Sequence, residues 1–139
     1  MNPKTAIKIM LGLLVCVILF HLSIILKITP YEITWGGRLK NDTEMYIFEA
    51  ISLLISLLLF LVLLIKGEYV KDFISTKVVN TILWIFIILF GLNTIGNIVA
   101  ETILEKSFAV LTLASVILIL IILNKGKKRA HSNSNVLKT

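Results

Sequence analysis

Cysteine is nearly absent from the sequence, since Cys16 is the only one. A single thiol cannot form a disulfide within the chain, so the thiol oxidoreductases that work with paired cysteines are excluded. Histidine is scarce as well: His21 lies in an apolar segment and His131 lies in the polar C-terminal stretch. Haem bound between helices usually takes two axial histidines. We therefore predict no haem and no other cofactor.

The common catalytic motifs are also missing. The sequence contains neither a G-x-S-x-G nor an H-E-x-x-H string, and its W-G-G-R segment lacks the spacing of a phosphate-binding loop. A transition-metal site would need His21, Glu49 and Glu101 to converge without any local signature. We predict no metal site, and the sequence favours a non-enzymatic protein while leaving the choice open.

Apolar residues, in contrast, are abundant. They make up 58% of the chain, whereas soluble domains contain about 45–50%. A membrane-spanning helix needs about 20 mostly apolar residues, and four segments approach or reach that length: 6–26, 45–65, 78–100 and 107–123. The sequence therefore predicts an all-α, polytopic membrane protein, a four-helix transmembrane bundle formed by residues 1–124.

Basic residues indicate how the bundle is oriented. With four spans, ten lysines and arginines fall on the side of the termini and four on the other side, Lys27, Arg38, Lys40 and Lys106. The positive-inside rule then places both termini in the cytoplasm, in a multi-pass protein of the plasma membrane. Residues 125–139 are predicted to form a basic, disordered cytoplasmic tail. This asymmetry accounts for the net charge of +6, so the lipid bilayer is the expected partner and nucleic acid is not.

Polar side chains inside the predicted spans gather toward the outer ends. Asn93, Asn97 and Glu101 are four residues apart, which places them on one face of a helix. In the second span, Glu49 and Ser52 share another face. His21 lies in the outer third of the first span. Hydrocarbon cannot satisfy such groups, so we expect them to line an outward-facing polar pocket.

The sharpest expectation is that Glu49, Asn93 and Asn97 share one buried site. Arg38 follows two glycines in the outer loop, and we expect it to pair with Glu44 or Glu49. A purely structural role remains open, because Asn, Ser and His often join membrane helices by hydrogen bonds.

The first span leaves its own orientation open. Gly12, Cys16 and Ser23 share one face, and His21 lies nearly opposite. A face of small residues normally marks close helix contact, so the sequence does not decide which face packs inward.

Three strings carry a resemblance to a known family: W-G-G-R-L at 35–39, E-M-Y-I-F-E at 44–49 and L-N-T-I-G-N at 92–97. They resemble a family of small bacterial four-helix membrane proteins with no known activity. The resemblance implies a set of residues that belong together: Trp35, Arg38, Glu44, Tyr46, Glu49, Asn93 and Asn97.

Three functions fit these observations. The first is a membrane protein whose outer-leaflet pocket binds a small polar or amphipathic ligand, or contacts a membrane partner. Its candidate ligand-binding residues are His21, Trp35, Arg38, Glu44, Glu49, Ser52, Asn93, Asn97 and Glu101. The second is a small ion or solute transporter that works as a homo-oligomer, and it requires polar residues to continue into the inner half. The third is a membrane enzyme that acts on lipid headgroups, and it requires contact between His21 and a carboxylate.

Overall fold

The chain folds into four long helices in an up-and-down bundle. The computed structural model describes residues 1–37, 39–71, 73–100 and 103–136. Helix α1 spans Pro3–Ile25, α2 Asp42–Lys66, α3 Thr76–Ile98 and α4 Ile103–Val136, and each is long and apolar enough to cross a membrane. For these residues, the prediction of an all-α fold with four helices of membrane-spanning length and apolarity is thereby confirmed.

Side-chain contacts show that successive helices are antiparallel. His21 near the end of α1 contacts Glu49 near the start of α2. Lys66 at the end of α2 donates to Asn80 near the start of α3, at 2.6 Å. Each helix packs against its neighbour in sequence, and α4 closes the bundle against α1. We call the end that carries loop 26–41 the loop end, and the opposite end the terminus end.

Side-chain caps fix where three of the helices begin. The carboxamide oxygens of Asn2 and Asn41 accept hydrogen bonds from backbone N–H groups in the first turns of α1 and α2. The hydroxyl of Ser75 caps α3 in the same way. These bonds satisfy N–H groups that have no partner within the helix.

Two apolar clusters fill the bundle, one toward each end. The larger lies toward the terminus end and is built from all four helices, with Met10, Leu63, Leu83 and Ile119 among its buried members. The smaller lies at the loop end and contains Ile24, Leu39 and Met45, with Phe20 and Tyr31 packed against it. Buried polar side chains lie between the two clusters or beside the smaller one.

Helix α1 packs through the face that carries His21. The buried residues on this face include Ile7, Met10, Leu14 and Ile24, and His21 lies seven residues, or about two turns, after Leu14. The opposite face points outward: Cys16 is exposed, and a Cβ at Gly12 would contact nothing within 4 Å. The structure thus resolves the choice that the sequence left open.

Helix α4 extends well beyond the predicted span. It continues to Val136, whereas the sequence predicted a disordered tail from residue 125. Residues 125–130 contain three lysines, one arginine and one alanine besides Gly126. Five of the six are good helix formers, so a helix that has already formed can propagate through them.

Candidate functional site

Glu49 is a carboxylate placed on the inward face of α2. The inward positions of this helix alternate at intervals of four and three residues, as expected for a packed helix: Met45, Glu49, Ser52, Ser56, Leu59 and Leu63. Glu49 is fully buried, with 0% of its surface exposed. A buried carboxylate needs compensating hydrogen bonds or charges, so its partners define the site.

His21 of α1 is the first partner. Its Nδ1 lies 2.6 Å from Glu49 Oε2, and 16% of the His21 side chain is exposed. Because an ionised carboxylate can only accept hydrogen bonds, it pairs with the His21 tautomer in which Nδ1 carries the proton and donates to Glu49. In the neutral imidazole the other ring nitrogen, Nε2, is then the basic atom.

Trp35 of loop 26–41 is the second partner. Its indole Nε1 donates to Glu49 Oε1 at 2.8 Å, so His21 and Trp35 each bind one of the two carboxylate oxygens. The Trp35 ring meets the Phe48 ring edge-on, with centroids 5.1 Å apart. We call His21, Glu49 and Trp35 the His–Glu–Trp cluster.

Loop 26–41 folds over the bundle in a conformation that brings Trp35 to Glu49. It contains two short 3₁₀ turns, Tyr31–Ile33 and Trp35–Gly37. The buried hydroxyl of Thr34 donates to the carbonyl of Tyr31 at 2.8 Å. Trp35 itself has a φ of 55°, a left-handed conformation that is unfavourable for a bulky side chain. This conformation positions the indole N–H over the carboxylate.

Apolar and aromatic side chains surround the His–Glu–Trp cluster. Ile24 lies one turn from His21 in α1, and Met45 lies one turn from Glu49 in α2. Both are at most 1% exposed. Phe20 stacks obliquely on Phe108 of α4, with ring centroids 5.4 Å apart. A carboxylate in such surroundings is shielded from water, so its hydrogen bonds to His21 and Trp35 are stronger than they would be at a surface.

The remaining residues predicted for the site are dispersed. Ser52 is half-buried, one turn further along the inward face of α2. Glu44 lies at the start of α2, where its Oε2 accepts the backbone N–H of Lys40 at 2.9 Å. Its contact is therefore with the loop backbone. Arg38 and Glu101 lie outside the described residues, and so does the expected pairing of Arg38 with a carboxylate.

The two asparagines do not share a buried site with Glu49, and this geometric expectation is wrong. Asn93 is exposed and Asn97 is half-buried. Within the described part of the chain, no hydrogen bond joins either one to Glu49, whose oxygens are bound by His21 and Trp35. Whether the asparagines bind a ligand elsewhere stays a prediction.

Thr94, between the asparagines, is the side chain that α3 turns inward. It is buried, and its Oγ1 lies 2.8 Å from Oγ1 of Thr112 on α4. Adjacent residues of a helix point about 100° apart, so burying Thr94 turns Asn93 away. The buried apolar residues Val79, Leu83 and Phe86 lie on the same face of α3 as Thr94.

Nothing in the cluster resembles a metal site. Across the described ranges, no three His, Cys, Asp or Glu side chains come close enough to hold a metal ion. The absence of a cofactor remains a prediction.

Comparisons with known protein families, with curated proteins and with solved structures find no match to this chain. The function is therefore argued from the geometry of the His–Glu–Trp cluster.

Proposed function

We propose that this protein is a ligand-binding integral membrane protein and that the His–Glu–Trp cluster is its binding site. The ligand is a small polar or amphipathic molecule with a hydrogen-bond donor, such as an amine, that takes the place of the Trp35 indole at Glu49. The observation that carries the proposal is a fully buried carboxylate whose two oxygens are bound from two different segments. Ionisable groups within membrane spans usually mark functional sites.

Trp35 is suited to act as the displaceable group. It is 40% exposed, whereas Glu49 beneath it is fully buried. Its left-handed backbone conformation at φ 55° costs about 1–3 kcal/mol, and such strain is found mostly at functional sites. A ligand that donates to Glu49 would release Trp35 and relieve that strain, so the loop could open without losing the free energy of the hydrogen bond.

The distribution of apolar residues favours binding over transport. A transporter needs polar groups or water along its path through the membrane. Below Ser56, the inward positions of α2 are apolar, and Leu59 and Leu63 have 0% exposure. They pack with Leu83 and Ile119 in the larger apolar cluster. This cluster separates the His–Glu–Trp cluster from Lys66 and Asn80 at the terminus end.

Enzyme activity on lipid headgroups is the second candidate, because His21 contacts a carboxylate. A carboxylate bound to Nδ1 orients an imidazole so that Nε2 can act as a general base. The described side-chain contacts of His21 and Glu49 include no serine or threonine hydroxyl that could act as a nucleophile. This candidate therefore requires water as the nucleophile.

We propose further that both termini are cytoplasmic, so that the His–Glu–Trp cluster lies in the outer leaflet of the plasma membrane. The distribution of lysine and arginine supports this orientation. A ligand would then reach the site from outside the cell or from the outer leaflet.

Tryptophan fluorescence tests the binding site directly. Trp84 is the only other tryptophan, so a Trp84→Phe background isolates the signal of Trp35. We expect octylamine to shift the Trp35 emission saturably in protein-containing nanodiscs, and octanoate, which lacks a donor and is an anion, to have no saturable effect. Glu49→Gln should abolish the octylamine response, whereas Glu44→Gln, which changes a carboxylate outside the cluster, should keep it.

Two results would overturn this proposal. An unchanged octylamine response in Glu49→Gln would show that Glu49 does not bind the ligand. Release of headgroups from phosphatidylglycerol vesicles by the parent protein, lost in His21→Gln, would favour the enzyme instead.

A further inference from the structure

Asn93 presents a carboxamide to the outside of the bundle. It is exposed, and no hydrogen bond from its side chain is found within the described residues. The apolar side chains of Ile85, Ile88, Leu89 and Leu92 surround it and form with it a shallow groove of about 330 Å³. This polar group therefore lies in an apolar surface that has no partner within the monomer.

The position of Asn93 along α3 places it within the hydrocarbon region. Asn93 lies five residues before Ile98, the last residue of α3, a distance of about 7.5 Å along the axis. Two exposed isoleucines on the other side of α3, Ile95 and Ile98, lie nearer the end of the helix than Asn93 does, so apolar surface is present around the helix beyond the depth of the amide. Lipid chains cannot bond to an amide, and leaving it unpaired costs several kcal/mol.

We propose that this face of α3 binds a second copy of the chain, forming a parallel two-fold dimer with Asn93 paired to Asn93 of the partner subunit. All copies insert into the membrane in the same orientation. A two-fold axis must then run along the membrane normal, which brings identical residues together at the same depth. A carboxamide has both a donor and an acceptor, so two facing copies satisfy each other.

The residues around Asn93 have the spacing of a helix–helix seam. Leu89, Asn93 and Gly96 follow one another at intervals of four and three residues, the repeat that parallel helices use to pack along their length. Gly96 is exposed, and a Cβ there would contact nothing within 4 Å. That open space lets a second backbone approach closely, as small residues do in membrane helix dimers. In coiled coils a single buried Asn fixes register and oligomeric state.

This surface is independent of the His–Glu–Trp cluster. Helix α3 contributes no side chain to the hydrogen bonds of Glu49. Dimerisation can thus be present or absent whatever the function of the cluster.

Disulfide crosslinking in native membranes tests the proposed surface. In a Cys16→Ser background, we expect Leu89→Cys and Gly96→Cys to form crosslinked dimers under mild oxidation, because both lie on the seam and leave Asn93 intact. Leu19→Cys is the matched control: Leu19 is 60% exposed, lies six residues before the end of α1, and belongs to a helix that makes no substantial contact with α3. It should not crosslink.

Substitution of Asn93 tests the amide pair. Two copies carrying different affinity tags should co-purify from mixed expression. Asn93→Leu should weaken this association about tenfold, the effect of losing two membrane hydrogen bonds, while Asn93→Gln keeps most of it. Equal crosslinking at Leu19 and Gly96, or unchanged co-purification of both Asn93→Leu and Asn93→Ala, would overturn the proposal.

Discussion

At the scale of single residues, the pairing of His21 with Glu49 joins α1 and α2 through a buried carboxylate at the loop end. Both side chains lie on inward faces set by helix packing, so neither can turn to water without disrupting its helix. Glu49 Oε2 lies 2.6 Å from Nδ1 of His21, and Glu49 Oε1 lies 2.8 Å from Nε1 of Trp35. Removing one partner is therefore expected to cost more than removing both.

We predict that His21→Leu destabilises the protein strongly, because it leaves the Glu49 carboxylate buried with one fewer partner. Breaking a buried pair in this way costs about 3–5 kcal/mol. The double variant His21→Leu/Glu49→Leu should recover much of that loss. Thermal unfolding in one detergent provides the measurement, with the outward-facing Leu22→Ala as control. Equal melting temperatures for the single and double variants would contradict the prediction.

Glu49→Gln should leave stability nearly unchanged. The amide oxygen can still accept from Trp35, and the amide nitrogen can donate to His21 once the imidazole proton moves to Nε2. Glu49→Leu removes both interactions and should lower the melting temperature clearly. If Glu49→Gln has a melting temperature as low as that of Glu49→Leu, the negative charge of Glu49 is itself required for stability, and the prediction is wrong.

The ion pair at the surface of the same end gives a contrasting prediction. Lys27 donates to Asp42, and this hydrogen bond is the main reason that the pKa of Lys27 is raised above its usual value. A raised pKa means that the pair stabilises the fold below the unfolded-state pKa, and that this contribution is lost as the pH rises through the folded-state pKa. Both side chains are about half exposed, so solvent weakens the attraction.

Lys27→Met should accordingly lower the melting temperature much less than His21→Leu at neutral pH. The small difference from the parent should disappear when the pH exceeds the pKa of Lys27. If Lys27→Met lowered the melting temperature as far as His21→Leu does, the Lys27–Asp42 pair would be required for the conformation of loop 26–41, and this prediction would be wrong.

At the scale of the elements, Gly37 is a residue of loop 26–41 whose left-handed conformation favours glycine. Gly37 has a φ of +65°, and an L-residue in this conformation costs roughly 1–2 kcal/mol. Gly37→Ala should destabilise the protein by about that amount and reduce the burial of Trp35, which its emission spectrum reports. Gly12→Ala is the matched control, because Gly12 is helical and outward-facing and alanine there should be neutral or slightly stabilising. Equal effects of the two substitutions would contradict this account.

The elements also show how far the sequence could be interpreted. The four apolar segments followed from length and composition alone, and the depth of the polar residues placed His21 and Glu49 among the groups expected to line one polar pocket. The inward face of α3 was predicted wrongly. This helix is apolar on nearly every side, so its polar Asn93–Asn97 face was expected to be the one that packs inside the bundle. Only packing against α4 shows that Thr94 points inward. The contact of Trp35 with Glu49 was unpredictable for a related reason, since it depends on how loop 26–41 folds over α2.

At the scale of the whole molecule, the two ends of the bundle differ in chemistry. The loop end contains the buried His–Glu–Trp cluster, whereas the terminus end is packed with apolar side chains and bordered by lysines. The orientation of the bundle in a membrane therefore decides which compartment Trp35 and the loop end would face.

The positive-inside rule predicts that Lys40 faces the exterior and Lys71 the cytoplasm. Ten of the fourteen basic residues lie on the side of the termini if the four helices span the membrane, and such a bias usually sets orientation. In a Cys16→Ser background, a membrane-impermeant maleimide should label Lys40→Cys in intact cells and Lys71→Cys only after the membrane is opened. Both residues lie in connections between spans, so the pair controls for reactivity. The reverse labelling pattern would place the His–Glu–Trp cluster at the cytoplasmic face, and its ligand would then have to come from inside the cell.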